Sequence, residues 1–462
     1  MKLLNLKLTT LKSKLCVIII TSIIVRFIAF FLLPSRPTAA LAPDEGGYAE
    51  IARLVASEQP TTSYGGLYFI SRTLVLPAAA LNNFGLEALS SVRIIASIYG
   101  VLTLILVAFL IIQSVDKYAI HSELTLKRSN LIIGLFIVFA FLPSHLLWSM
   151  LGLRESPMEF WVLCALSATF LAVNLQEKVT FPIALLLTIS IILLFNTRPQ
   201  VAWLLSVTIL VSLILSSKKR VAFVLALLTL IASGVGYSSV FLQKQDRFII
   251  FPTDSSVPDS SVPDSSACQE SNQIITIQEK EYKCIKIRSW DFSSLQNPGE
   301  IIVKETIALP DLHKGNQVSA ASAIQTLSCP ITEEREADKY FCLAWRSPYM
   351  AATFLFRPLI FIDTTSTSSL IAGVENIAWL GAAVFIIIML IKKRRLAFIS
   401  PLAPSLIFFI LYCVGAGSYE GNMGTAFRHK SLILWVILLL LASVMAAEKR
   451  PKSRNESAQK GV

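Results

Sequence analysis

Residues 15–34 read LCVIIITSIIVRFIAFFLLP, and this stretch decides the class of fold. Arg26 is its one charged side chain. A helix of about 20 apolar residues crosses the roughly 30 Å hydrocarbon core of a bilayer. Comparable runs recur near 92–112, 130–150, 157–174, 179–196, 200–215, 221–242, 371–391, 398–415 and 431–447. They predict an all-α polytopic membrane protein of about 10 transmembrane helices. Two further apolar stretches, 70–82 and 349–362, are short, and the first reads as re-entrant or interfacial. Composition agrees: 54% hydrophobic and 15% charged residues, with mean hydropathy +0.65, lie far from a soluble globular profile.

Charge gives the orientation. Lys2, Lys7, Lys12 and Lys14 precede the first run, and four more basic clusters fall at Lys117/Lys127/Arg128, Lys218/Lys219/Arg220, Lys392/Lys393/Arg394/Arg395 and Lys449/Arg450/Lys452/Arg454. One topology puts all five on the inner side, with both termini cytoplasmic in the plasma (inner) membrane. The net charge of +11 is then a topology signal facing anionic lipid and implies no nucleic-acid partner. Leu32-Leu33-Pro34-Ser35-Arg36-Pro37 is a poor signal-cleavage site, so the first run reads as an uncleaved anchor. Arg26 lies within snorkelling reach of the outer end. The organisation expected is helices 1–7 over 1–242, an extracytoplasmic linker and cap at 243–348, C-terminal helices over 349–447 and a basic tail at 448–462.

The cap segment opens with a repeat, Asp254-Ser-Ser-Val-Pro, Asp259-Ser-Ser-Val-Pro, Asp264-Ser-Ser, whose composition is that of an extended linker. Residues 274–277 and 282–287 read as two strands, giving a small α+β insertion. Cys268, Cys284, Cys329 and Cys342 all lie in this segment. Outside the cytoplasm they predict two disulfides; sequence proximity favours 268–284 with 329–342 among three connectivities. Their spacing without clustered histidine argues against zinc.

Charged residues that hydropathy does not require gather at the outer face. Asp44-Glu45 opens a stretch with apolar residues at Tyr48, Ile51, Ala52 and Val55, the spacing of a helix lying on the membrane surface. The plainer reading of the two acids is a cap and a dipole partner for that helix. Arg154-Glu155 precedes Ser156-Pro157-Met158-Glu159, where Ser156 and Glu159 fit a capping box. Arg198 sits in a short turn, Arg357 inside an apolar stretch, and Glu420, Arg428, His429 and Lys430 before the last run. Taken singly, each arginine reads as snorkelling to headgroups. Together they place cations and carboxylates at one depth. Transfer of a sugar from a polyprenyl-phosphate carrier needs that combination. A carboxylate takes the acceptor's proton, cations hold the phosphate, and the carrier's tail keeps the site at the interface.

The layout resembles the GT-C superfamily of membrane glycosyltransferases, especially bacterial family 39-like enzymes related to protein mannosyltransferases and aminoarabinose transferases. The residues that carry the resemblance are Asp44-Glu45 with Tyr48 in the first outer loop, then Leu76-Pro77, Phe84-Gly85 and Arg93. It covers about residues 15–215. It implies Asp44 as catalytic base and Glu45 as its helper or a metal contact, and leaves participation of a divalent metal open. Topology, not the resemblance, assigns Arg154, Arg198, Arg428 and Lys430 to the phosphate. Tyr48, Glu155, Glu420 and His429 complete the expected substrate-binding set. Membrane lipids and a polyprenyl-phosphate-linked sugar donor are the expected partners, with an acceptor that is a glycan, lipid or protein. Two other functions compete: a polymerase or ligase of lipid-linked glycans, and a transporter or flippase without chemistry. A catalytically inactive assembly subunit is a third. A transporter predicts internal repeats and charges near the midplane. No repeat of the apolar runs is visible, and Arg26 is the only basic residue well inside a span.

Overall fold

The computed structural model describes residues 2–33, 43–59, 68, 71–119, 126–141, 145–174, 179–215, 218–241, 247–252, 274–277, 280–287, parts of 345–360, 367–393, 402–419 and 423–446. The helices are α1 Lys2–Leu32, α2 Pro43–Ala56, α3 Arg72–Asn83, α4 Ala88–Ala119, α5 Leu126–Phe141, α6 Leu146–Met150, α7 Glu155–Asn174, α8 Phe181–Phe195, α9 Pro199–Ile214, α10 Lys219–Phe241, α11 Thr367–Lys393, α12 Ala403–Tyr419 and α13 Met423–Ala446. Strands β1 Arg247–Pro252, β2 Ile274–Ile277 and β3 Lys280–Ile287 form an antiparallel sheet in the order β1-β3-β2. Ile274 pairs with Lys283, and Cys284 stands opposite Ile250.

Among the described residues six helices are long and apolar enough to cross a membrane: α1, α4, α7, α10, α11 and α13. Four shorter apolar helices, α5, α8, α9 and α12, contribute 14–17 residues each at most. That is roughly 21–25 Å at 1.5 Å per residue, less than a full hydrocarbon core without flanking turns. Burial separates centre from periphery. The apolar stretches of α7 and α13 are 78% and 89% buried in the bundle, while those of α1 and α11 are 22% buried. α1 turns Ile20, Ile24, Phe27 and Phe31 outward, and α11 turns out Val374, Ile377, Ile387 and Ile391. Apolar faces of this extent are stable against lipid, not water.

The stretch after α1 forms the helix that its apolar spacing predicts. α2 buries Tyr48, Ile51 and Ala52 against α3 and α4, and leaves Asp44 outside. α3 is twelve residues long, about 18 Å, too short to span. It ends at Phe84-Gly85, where Gly85 takes φ +90°, a conformation that favours glycine.

Three expectations are corrected. The run 130–150 is not one helix: α5 stops at Phe141 and α6 starts at Leu146, with Pro143 in the sequence between them. The capping box does not form. α7 begins at Glu155, so the Ser156 hydroxyl donates to the Trp148 carbonyl and Glu159 turns inward to His145. Arg26 does not snorkel. It is 3% exposed, and its guanidinium donates to the hydroxyls of Ser22 and Ser149.

The helix ends sort into two sets. The starts of α2, α7 and α13 meet through Asp44, Glu155 and Arg428. The start of α9 joins them through Arg198 and His429. The end of α10 joins through Asn196 and Ser239, and the return to α11 through Lys430 with Asn376. At the opposite end, Lys14 of α1 donates to Asn130 of α5. Of the four cysteines expected to pair, Cys268, Cys329 and Cys342 lie outside the described residues, and Cys284 is described only as backbone.

Candidate functional site

The site is built where α2, the 151–155 turn, the α8–α9 turn and the start of α13 converge. Glu45 is fully buried. Arg93 of α4 grips it with two bonds, Nε to Oε1 at 2.6 Å and Nη2 to Oε2 at 3.1 Å. The backbone N–H of Gly152 adds a third at 3.0 Å. A carboxylate taken from water is tolerable when its lone pairs are met this fully. Glu45 thus fastens α2 to α4 and to the turn carrying Arg154 and Glu155. Gly152 is required there: a Cβ would lie 2.4 Å from Cγ2 of Val92.

Asp44, one residue earlier, is the exposed member, with 47% of its side chain accessible. Its Oδ2 receives Nη1 of Arg428 at 3.1 Å. The same guanidinium places Nε 3.1 Å from Oε1 of buried Glu155, within ion-pair range but not aligned as a hydrogen bond. His429 stands 3.4 Å from that oxygen. Its Nε2 also lies 2.6 Å from Nη1 of Arg198. A guanidinium only donates, so in that contact Nε2 is the acceptor. His429 thus links Arg198 to Glu155.

Arg154 differs from its neighbours. Its Nε and Nη1 are buried and make no hydrogen bond among the described residues. Both Glu155 oxygens and Nε of Arg428 likewise lack an aligned bond. Buried polar atoms are nearly always satisfied, so a concentration of unsatisfied ones marks a place built for something else. The charges do not cancel: Arg93, Arg154, Arg198 and Arg428 face Asp44, Glu45 and Glu155, an excess of one positive charge. The Tyr48 ring is 1% exposed, and its phenol sits in the field of Asp44, Arg154, Glu155 and Arg428. Burial is the leading cause that holds its pKa above the ordinary tyrosine value, so the phenol stays protonated and can donate.

Of the residues the sequence nominated, Asp44, Glu45, Tyr48, Arg154, Glu155, Arg198, Arg428 and His429 come together. Lys430 does not join them. Its ammonium is buried on the Arg357 carbonyl and on Oδ1 of Asn376 at 3.0 Å, tying α13 to α11. Glu420 lies outside the described residues. Gly152 carries no sequence signal of its role, and neither does the clamp between Arg93 and Glu45 beyond the resemblance that drew attention to Arg93. Among the described residues no three His, Cys, Asp or Glu side chains gather to hold a metal ion. Compared with protein-family models, with curated proteins and with solved structures, the chain matches none.

Proposed function

We propose that this protein is a membrane glycosyltransferase that moves a sugar from a polyprenyl-phosphate donor to an acceptor at the membrane surface. The observation that carries the reading is the pairing of an exposed carboxylate with an under-satisfied cationic site: Asp44 beside Arg428, and Arg154 with two buried nitrogens unbonded among the described residues. Asp44 accepts the proton of the attacking hydroxyl as the bond to the anomeric carbon forms. Arg154 and Arg428 hold the phosphate and meet the charge it gains as the sugar leaves. Arg428 then exchanges its Asp44 partner for the phosphate, which frees the base when the donor binds. Glu45, engaged by Arg93 and Gly152, is a positioning residue rather than a helper base or metal contact.

In this reading all ten apolar helices cross the bilayer, the four shorter ones with their flanking turns, and both termini face the cytoplasm. The two pairs of cysteines staple the segment between α10 and α11. The test is formation of a glycosidic bond by purified, full-length protein in lipid, supplied with polyprenyl-phosphate sugars and membrane extract as acceptor. No bond with any such donor defeats the proposal. The buried charges of Arg26 and Glu159 favour a second reading, a proton-coupled flippase of the same lipid-linked substrate. Lipid translocation without bond formation is its signature in the same preparation.

A further inference from the structure

Beneath the site lies a second polar cluster that the transfer reaction does not use. Glu159 is one helical turn deeper on α7 than Glu155 and is 3% exposed. Its Oε2 is 3.2 Å from Nδ1 of His145, itself 1% exposed. On the other side of the ring, Nε2 is 3.2 Å from the carbonyl oxygen of Gly100. The Phe139 ring stacks on the imidazole at 4.5 Å and fixes its plane. Arg26 of α1 is, besides His145, the charged group whose field reaches Glu159. The remaining contacts to Arg26 are neutral: the hydroxyls of Ser22 and Ser149 and the Ser22 carbonyl.

A carbonyl oxygen only accepts, so Nε2 of His145 carries a proton. The contact between Nδ1 and Oε2 then requires one further proton, on the ring or on the carboxyl. With that proton bound, the pair is neutral overall and Arg26 leaves the cluster with one uncompensated positive charge. With it released to solvent, Glu159 cancels Arg26, but the neutral ring must turn a lone pair toward an oxygen on one side. Hydrogen bonding favours the bound form, and charge balance in the low-dielectric bundle favours release. We infer that the His145–Glu159 pair is an exchangeable proton-binding site inside the helix bundle, with Arg26 opposing its occupancy. Oε1 of Glu159, buried and without an aligned hydrogen bond among the described residues, is the acceptor through which a donor outside the pair reaches it. The site goes beyond the transferase reading and stands whichever function the upper cluster serves.

The experiment uses the full chain in nanodiscs of anionic and zwitterionic phospholipid, with ring-¹⁵N histidine. The four histidines are His121, His145, His313 and His429. Replacing His121, His313 and His429 by Gln one at a time assigns His145 by elimination, leaving the cluster intact. Raising the pH is expected to take His145 from a form with Nε2 protonated and Nδ1 sharing a proton with Glu159 to a neutral ring. Arg26→Gln is expected to leave a larger share of His145 rings in the shared-proton form at a given pH, since the opposing charge is gone. A His145 ring that keeps one protonation state throughout, or a transition that Arg26→Gln leaves in place, overturns the inference. Should Arg26→Gln not fold, the wild-type ring decides alone.

Discussion

Adjacent carboxylates, Asp44 and Glu45, meet opposite fates because a helix turns about 100° per residue. Glu45 points into the packed face of α2 and Asp44 away from it. Their substitutions therefore separate chemistry from architecture. Asp44→Asn keeps size and capping ability and removes the proton acceptor, so turnover in the glycosyl-transfer assay is expected to fall ~10²–10⁴-fold with the fold intact. Arg154→Lys retains the charge but loses the planar fork. It is expected to weaken donor affinity more than it weakens the melting temperature, since no hydrogen bond among the described residues depends on the two unbonded nitrogens. Glu45→Gln should behave in the reverse sense. It leaves the Arg93 guanidinium buried without its counter-charge, a loss of about 3–5 kcal/mol by analogy with broken buried pairs. Combining Glu45→Leu with Arg93→Met removes both charges and is expected to recover most of that stability in thermal unfolding. Activity should not recover with it, because the Gly152 N–H then has no acceptor and the Arg154 turn loses its anchor.

At the scale of elements, glycines report how closely helices approach. A Cβ on Gly100 would stand 2.4 Å from Cβ of Ser149, so the α4 backbone there rests directly on the Ser149 side chain of α6. Gly100→Ala is expected to push them apart and to cost about 1–3 kcal/mol. Gly134, on the outer face of α5 with nothing within 4 Å of its Cβ position, is the control. Gly134→Ala should be neutral or stabilising by up to ~1 kcal/mol. Thermal denaturation of both variants in one detergent checks the pair. Periodicity made the elements legible: every apolar run contains a helix, and the 48, 51, 52, 55 spacing gave the buried face of α2. What it could not give was which of two valid local motifs wins. Ser156 and Glu159 satisfy a capping pattern, yet the long-range partner His145, fourteen residues away, takes the carboxylate. Arg26 likewise looked free to reach the headgroups because its acceptor, Ser149, is 123 residues distant. The eight site residues were legible as a set because they share helix ends. Their pairings were not, since a loop sequence does not encode which side chain faces which.

For the whole molecule, the two sets of helix ends decide how the segment between α10 and α11 sits. α10 ends beside Asn196 at the site end, and the chain re-enters where Arg357 and Asn376 meet Lys430, at that same end. The end of α10 and the re-entry of the chain therefore both lie on the side of Asp44. Basic residues mark the other end: Lys14 with Asn130, and Lys219 at the start of α10. Positive charge is retained in the cytoplasm, so the Asp44 end is expected to face outward. A single cysteine placed at Ser260 tests this, in a chain whose seven native cysteines are replaced by serine or alanine. It is expected to react with a membrane-impermeant maleimide in intact cells, and a cysteine at Ser453 only after permeabilisation. The opposite pattern would invert the molecule and put the site in the cytoplasm, where polyprenyl-phosphate donors outside cannot reach it. The native thiols give a second readout of the same geometry. Outside the cytoplasm Cys268, Cys284, Cys329 and Cys342 are expected to resist alkylation until reduced, while buried Cys164 and Cys413 resist it until the bundle is denatured. Four thiols that alkylate in native, unreduced protein would place the segment in a reducing compartment and overturn the orientation together with the site's supply of donor.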